Sequence, residues 1–181
     1  MRRVSVVGNS GSGKSTLAAR LARALDAPHV ELDAVFHQPG WTPLDLHEFL
    51  AAASRLSAGE RWVIDGNYRE VTMEGPVWAR ADAVVWLRLP RRTVMRQIVG
   101  RTLRRTLTRQ PLWNDNREPL SGLWRWDPER NIMRWAWTRH AKYEARYTAA
   151  QQDPRYGHLE FVTLRSHDEV EAWLAGLSGP A

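Results

Sequence analysis

Gly8-Asn9-Ser10-Gly11-Ser12-Gly13-Lys14-Ser15 reads GNSGSGKS, a complete GxxxxGK[S/T] stretch followed by Thr16. Before it stands the β-branched run of residues 3–7. After it comes KSTLAARLARAL, with Leu17, Leu21 and Leu25 at helical spacing. A strand that turns through glycines into a helix aims backbone N–H groups at the space above the helix N-terminus, where they bind anions. Gly8, Asn9, Ser10, Gly11, Ser12 and Gly13 are therefore expected to cradle a phosphate chain. Lys14 is expected to reach its terminal phosphates, Ser15 to offer a hydroxyl to Mg2+, and Thr16 to support the turn. A plain turn-and-cap reading accounts for the glycines but not for the lysine, the serine and both flanks together.

The alternation that starts here continues outward. HVELD at 29–33, RWVID at 61–65, ADAVVWLRL at 81–89 and HLEFVTL at 158–164 read as further strands. Helical patterns occupy about 43–56, 91–108, 129–149 and the final DEVEAWLAGL. Strands alternating with helices predict an α/β fold with five parallel strands, as one domain over residues 1–181. Residues 110–128 carry Pro111, Pro119, Pro128 and Gly122 around NDNRE, and read as an inserted loop or cover.

The chain has 181 residues and a formal net charge of +6, so its natural partners carry negative charge: nucleotides, nucleic acid or an anionic surface. Lys14 and Lys142 are the only lysines and the other 24 basic residues are arginines, whose planar fork suits phosphate and carboxylate. No cysteine is present, which excludes disulfides, thiolate catalysis and Cys-ligated zinc. Neither a signal-peptide pattern nor a run of eighteen apolar residues is found, so a soluble cytosolic enzyme with no membrane partner is expected.

Carboxylates at strand ends are the next candidates, because ligands of open α/β sheets bind at the carboxyl ends of the strands. Asp33 is expected to orient or deprotonate an acceptor hydroxyl, with a helix cap as its alternative. Asp65 is expected near Mg2+ beside the phosphate loop, or else in loop support; Gly66 allows a close turn or substrate approach. Arg69 is placed to hold an anionic group of the acceptor, or is simply solvated. Between Ala83 and Asn114 there is no Asp or Glu, and Arg101, Arg105 and Arg109 recur at four-residue spacing. Such a row clamps phosphate, or forms a solvated or RNA-binding face. Arg117 in the cover either enters the site on closure or pairs with Asp115 or Glu118. The tryptophans at 113, 124, 126, 135 and 137 suit core packing better than stacking on nucleic acid. The six histidines lack zinc-like spacing and read as structural or surface residues.

At these residues the chain resembles the P-loop nucleotide and small-metabolite kinases, adenylate-kinase-like enzymes above all, and within them the bacterial family called DNA topology modulation proteins. Gly8 through Ser15 carries the shared loop, Asp33 resembles an acceptor-site acid, Asp65-Gly66 the DG step of nucleotide kinases, and Arg69 their acceptor-binding arginine. The narrower likeness uses Asn116-Arg117-Glu118 and the WAW segment at 135–137. Asn67-Tyr68 stands where many nucleoside monophosphate kinases have a hydrophobic residue and proline, which argues against ordinary adenylate kinase activity. The resemblance implies a P-loop fold with an arginine-rich lid over 110–128. It also implies MgATP as the phosphoryl donor and a nucleotide, nucleoside or small polar metabolite as acceptor. ATP is favoured over GTP because no guanine-reading motif is present. An ATP-binding, nucleic-acid-associated regulator and a signalling P-loop domain without turnover are the alternatives.

Overall fold

The computed structural model describes residues 1–108, 114 and 132–177, with the backbone alone at 103, 105–108 and 132–138. In chain order, β1 (Arg3–Gly8) leads into α1 (Lys14–Ala24), and β2 (His29–Glu31) runs directly into the short α2 (Leu32–Phe36). A two-residue hairpin, β3 (His37–Gln38) with β4 (Thr42–Pro43), precedes α3 (Leu46–Leu56). Then follow β5 (Trp62–Asp65), α4 (Pro76–Arg80), β6 (Ala83–Leu87), α5 (Arg91–Thr108), α6 (Ile132–Gln152), β7 (Glu160–Leu164) and α7 (His167–Leu177).

The five strands expected from the sequence form one parallel sheet in the order β2-β5-β1-β6-β7. The chain therefore steps outward from β1 to β2, returns to place β5 between them, and crosses to the other side for β6 and β7. The strand-order reversal lies at β1, and the crevice beyond its carboxyl end is where Gly8–Ser15 sits.

Period-two alternation sends the sheet's side chains to two cores. Val4 and Val6 of β1, Val63 of β5 and Val85 of β6 pack with Leu17 and Leu21 of α1, Val94 and Ile98 of α5, and Val170 and Leu174 of α7. Val7, Ile64, Val84 and Trp86 turn to the opposite face, against Phe49 of α3, Trp78 of α4 and Tyr147 of α6. Both faces are covered, so the strands are near-continuous apolar runs, as parallel strands must be. Ser5, fully buried in β1, is a polar exception, as is Asp65 in β5; the Ser5 Oγ accepts a 3.1 Å hydrogen bond from Trp78 Nε1. The described core tryptophans are thus Trp62, Trp78 and Trp86. Among the cluster expected to pack, the side chains at 113, 124, 126, 135 and 137 lie outside the described residues.

Two boundaries differ from expectation in ways that matter to the site. The strand read over 29–33 ends at Glu31, and Asp33 lies in the first turn of α2 instead of at a strand end. The helix read from 43 starts at Leu46, because Thr42 and Pro43 are used in the hairpin and the Asp45 side chain accepts from His47 N–H at 2.8 Å as an N-cap. Residues 110–128, read as an inserted cover, lie outside the described residues except for Asn114. Among the described residues no helix is long and apolar enough to cross a membrane.

Candidate active site

The phosphate loop is held from inside and from below. Gly11 has φ +76°, and a Cβ there would come within 2.2 Å of Ile98 Cγ1 on α5, so both conformation and space require glycine. The Ser12 N–H donates to Asn9 O at 3.1 Å and the Ser10 N–H to Asn9 Oδ1 at 3.0 Å, which curls the loop over its own asparagine. Helix α1 starts at Lys14 with no side-chain cap, leaving its first N–H groups for an external acceptor. Lys14 and Ser15 are half-buried at this mouth and Thr16 is exposed.

Asp65 closes the site from the sheet. In β5, Val63 faces the α1 side, and alternation turns Asp65 to that same side, under the start of α1. Ser15 Oγ donates to Asp65 Oδ1 at 3.2 Å, and His29 Nε2 lies 2.8 Å from Oδ2. Asp65 is 1% exposed, so this carboxylate is buried and fixed through both oxygens. A hydroxyl and a carboxylate beside a phosphate cradle are the hard oxygen donors that Mg2+ accepts, in the usual arrangement where substrate phosphates and water complete its shell. No group of three or more His, Cys, Asp or Glu that could hold a metal ion occurs among the described residues.

Asn67, two residues on, ties the loop to α6. Its Nδ2 donates to Gly8 O at 2.7 Å, and its Oδ1 accepts from Gly8 N–H at 3.3 Å and from Tyr147 O–H at 3.0 Å. Gly66 is buried with Leu32 against it; a Cβ would meet Leu32 Cβ at 2.8 Å, so its place has a packing cause. Burial raises the phenol pKa of Tyr147, which keeps it a donor.

Asp33 lies on the other flank. Tyr68 O–H donates to its Oδ1 at 2.7 Å, and the Tyr68 ring packs at 4.8 Å from Phe36 and 4.9 Å from Phe49. Burial drives the Tyr68 phenol far above its ordinary range, with the Asp33 charge and hydrogen bond adding to it and the Asp65 charge contributing less. Tyr68 is therefore a permanent donor within electrostatic reach of both carboxylates. Burial also lowers the pKa of His37, against a smaller upward pull from Asp33. Asn114 Nδ2 donates to Ala34 O at 3.1 Å and His37 O at 2.6 Å, satisfying carbonyls at the end of α2. Arg69 is exposed and paired with Glu74 at 2.5 Å.

Of the arginine row, Arg101 lies half-buried on α5; Arg105 follows one turn later with only its backbone described, and Arg109 and Arg117 lie outside the described residues. Arg88, at the end of β6, is bound to Glu144 of α6 and sits 5.1 Å over the Trp86 ring. The structure thus gathers Lys14, Ser15 and Asp65 at one mouth, with Asp33 joined to it through Tyr68. His29, Asn67, Tyr68, Tyr147 and Asn114 were not marked as site residues by sequence. The signal that could have found His29 is the alternation of the polar HVE strand, which aims it toward the Asp65 face.

No protein-family model matches this sequence, and no curated protein is similar to it in sequence. Among solved structures, a shikimate kinase from Bacteroides thetaiotaomicron aligns with TM-score 0.56 and 16% identity, over 97% of this chain and 95% of that one. A shikimate kinase from Acinetobacter baumannii, in complex with shikimate, aligns with TM-score 0.55 and 12% identity, over 98% and 90%. A gluconokinase from Sinorhizobium meliloti aligns at 21% identity over 98% and 93%, with a TM-score of 0.45 that is too low to bear on the fold. Identities this low speak to architecture alone, and the architecture is plain: the chain has the α/β P-loop NTPase fold, with a five-stranded parallel sheet and an arginine-rich helix after β6.

Proposed function

We propose that the protein is an ATP-dependent phosphotransferase that moves the γ-phosphoryl group to a hydroxyl of a nucleotide, nucleoside or small polar metabolite. The observation that carries this reading is the 3.2 Å contact between Ser15 Oγ and the buried Asp65 carboxylate, at the mouth of an uncapped α1 that begins with Lys14. The loop N–H groups and Lys14 hold the phosphates and take up charge that spreads over the transferring group. Ser15 and Asp65 would hold Mg2+, which would neutralise phosphate charge when bound. Asp33 keeps one oxygen free of Tyr68 and accepts the acceptor's proton as its oxygen bonds to phosphorus and the bond to the ADP oxygen breaks. Arg101, Arg105, Arg109 and Arg117 stabilise charge developing during transfer, and Arg69 contacts the acceptor after exchanging Glu74 for it. The fold of small-metabolite kinases supports this class. The narrower likeness to DNA topology modulation proteins rests on residues 116–118 and 135–137, which lie outside the described side chains.

Incubating the purified protein with MgATP and pooled nucleosides, nucleotides and polar hydroxylated metabolites should yield an acceptor heavier by one phosphoryl group, read by mass spectrometry. Unchanged acceptors throughout the pool overturn the reading. Salt-sensitive nucleic-acid binding without any phosphorylated product would instead favour the ATP-binding regulator.

A further inference from the structure

The proposed reaction leaves His29 without a task, yet His29 makes the shortest contact to the most buried carboxylate of the site. Its Nε2 lies 2.8 Å from Asp65 Oδ2, its side chain is 19% exposed, and Asp65 is 1% exposed. The contact is set by sheet register. Glu31 of β2 pairs with Asp65 of β5 and His29 with Val63, so His29 sits one pleat behind Asp65 on the same face and reaches it diagonally. Among the described residues Ser15 and His29 are the side-chain partners of Asp65. A carboxylate accepts, so the histidine nitrogen facing it carries the hydrogen.

We propose that His29 is a positioning residue for the magnesium step: it holds Asp65 through Oδ2 so that Oδ1 stays aimed at Ser15 and the phosphate mouth. A carboxylate held only by Ser15 loses that anchor as soon as the hydroxyl turns from Asp65 to the metal. His29 supplies the second point of attachment, which persists when Ser15 is engaged elsewhere. Partners of this kind behind a metal-binding group orient it and raise its effective affinity. His29 also lines a shallow cleft with Ala22, Arg23, Asp26, Ala27 and Pro28, so a shorter side chain there leaves space that water fills. The inference rests on the proposed role of Asp65 toward Mg2+, and its test does not need the acceptor.

Calorimetric titration with the non-hydrolysable analogue AMP-PNP, with Mg2+ and with EDTA, separates the outcomes. His29→Ala should weaken binding of the magnesium complex by about ten-fold or more while metal-free AMP-PNP binds as to the wild type. His29→Gln keeps an N–H donor at a similar reach and should recover most of the loss. Equal weakening with and without Mg2+ would show a structural role and overturn the proposal. If Asp65→Asn abolishes the magnesium effect and His29→Ala leaves it whole, the reading of the site stands and the role of His29 falls. If Asp65→Asn also leaves it whole, the magnesium role of Asp65 falls and that of His29 with it.

Discussion

The two flanks of the crevice are built on different principles. The phosphate flank comes from one continuous stretch, Gly8–Ser15, whose shape is set by backbone: a left-handed glycine, an uncapped helix start and hydrogen bonds within the loop. The flank proposed to receive the acceptor is assembled from Asp33, Tyr68 and Asn114, held by side-chain contacts across 35 residues in one case and about eighty in another. A backbone-made site tolerates little change, because a Cβ at Gly8 would meet Leu87 and one at Gly11 would meet Ile98. A side-chain-made site changes its ligand by exchanging residues on a standing frame. On the proposed kinase reading, such a contrast lets the fold keep the phosphoryl donor fixed while the acceptor varies.

Replacement of a residue on each flank should separate the two, with the largest effects in the molecule. Lys14→Ala removes charge stabilisation of the transferring phosphoryl group, and transfer should fall by about 10³-fold with weaker nucleotide binding. Asp33→Asn should lower kcat by about 10²-fold, the scale of lost general-base assistance, and leave the affinity for MgATP at its wild-type value. Both are read by steady-state kinetics with the acceptor found in the metabolite screen, alongside calorimetry. Equal loss of nucleotide affinity in both variants would mean that the flanks are not separable.

The same contrast governs what the sequence discloses. GNSGSGKS is legible because its glycines, Lys14 and Ser15 stand together in one short stretch between a strand and a helix, although the packing that requires Gly11 comes from Ile98 far along the chain. The five strands are legible because both faces of the sheet are covered, which demands apolar runs such as AVVWL. Helix α2 is not legible. LDAVF has the β-branched and aromatic character of a strand, and its helical state depends on Leu32 seated against Gly66 and on Asn114 satisfying the carbonyls of Ala34 and His37. The sequence therefore offers Asp33 as a candidate at a strand end, whereas it stands in the first turn of α2. The role of Asn67-Tyr68 also needed the structure. The pair reads as a departure from a hydrophobic residue and proline, whereas in space Asn67 clamps Gly8 and Tyr68 holds Asp33.

Stability tests the backbone argument at Gly11. Alanine there meets Ile98 and must keep φ near +76°, so unfolding free energy should drop by about 1–3 kcal/mol, measured as a lower urea midpoint. Ile98→Ala alone opens a core cavity and destabilises by about 2–5 kcal/mol. The double variant should lose less than the two separate losses combined, because the cavity accepts the new methyl group. Strict additivity would mean that the loop does not lean on α5.

Tyr68→Phe has the smallest expected effect and asks the sharpest question of the comparison. The ring remains between Phe36 and Phe49, so the fold is kept; what is lost is one hydrogen bond to a carboxylate. Because burial and then Asp33 raise the phenol pKa, the wild-type hydroxyl stays protonated through neutral and alkaline pH, and the loss should be the same across that range. Freed of its donor, Asp33 explores other orientations, and KM for the acceptor should rise several-fold, equivalent to about 1 kcal/mol, with kcat lowered less. Nucleotide affinity should not move if the flanks are independent. Tyr68 also feels the charge of Asp65, the phosphate-side carboxylate, so it is the side chain through which dependence would first be seen. A weaker affinity for MgATP in Tyr68→Phe, measured without acceptor, would show that the acceptor flank sets the geometry of the phosphate flank.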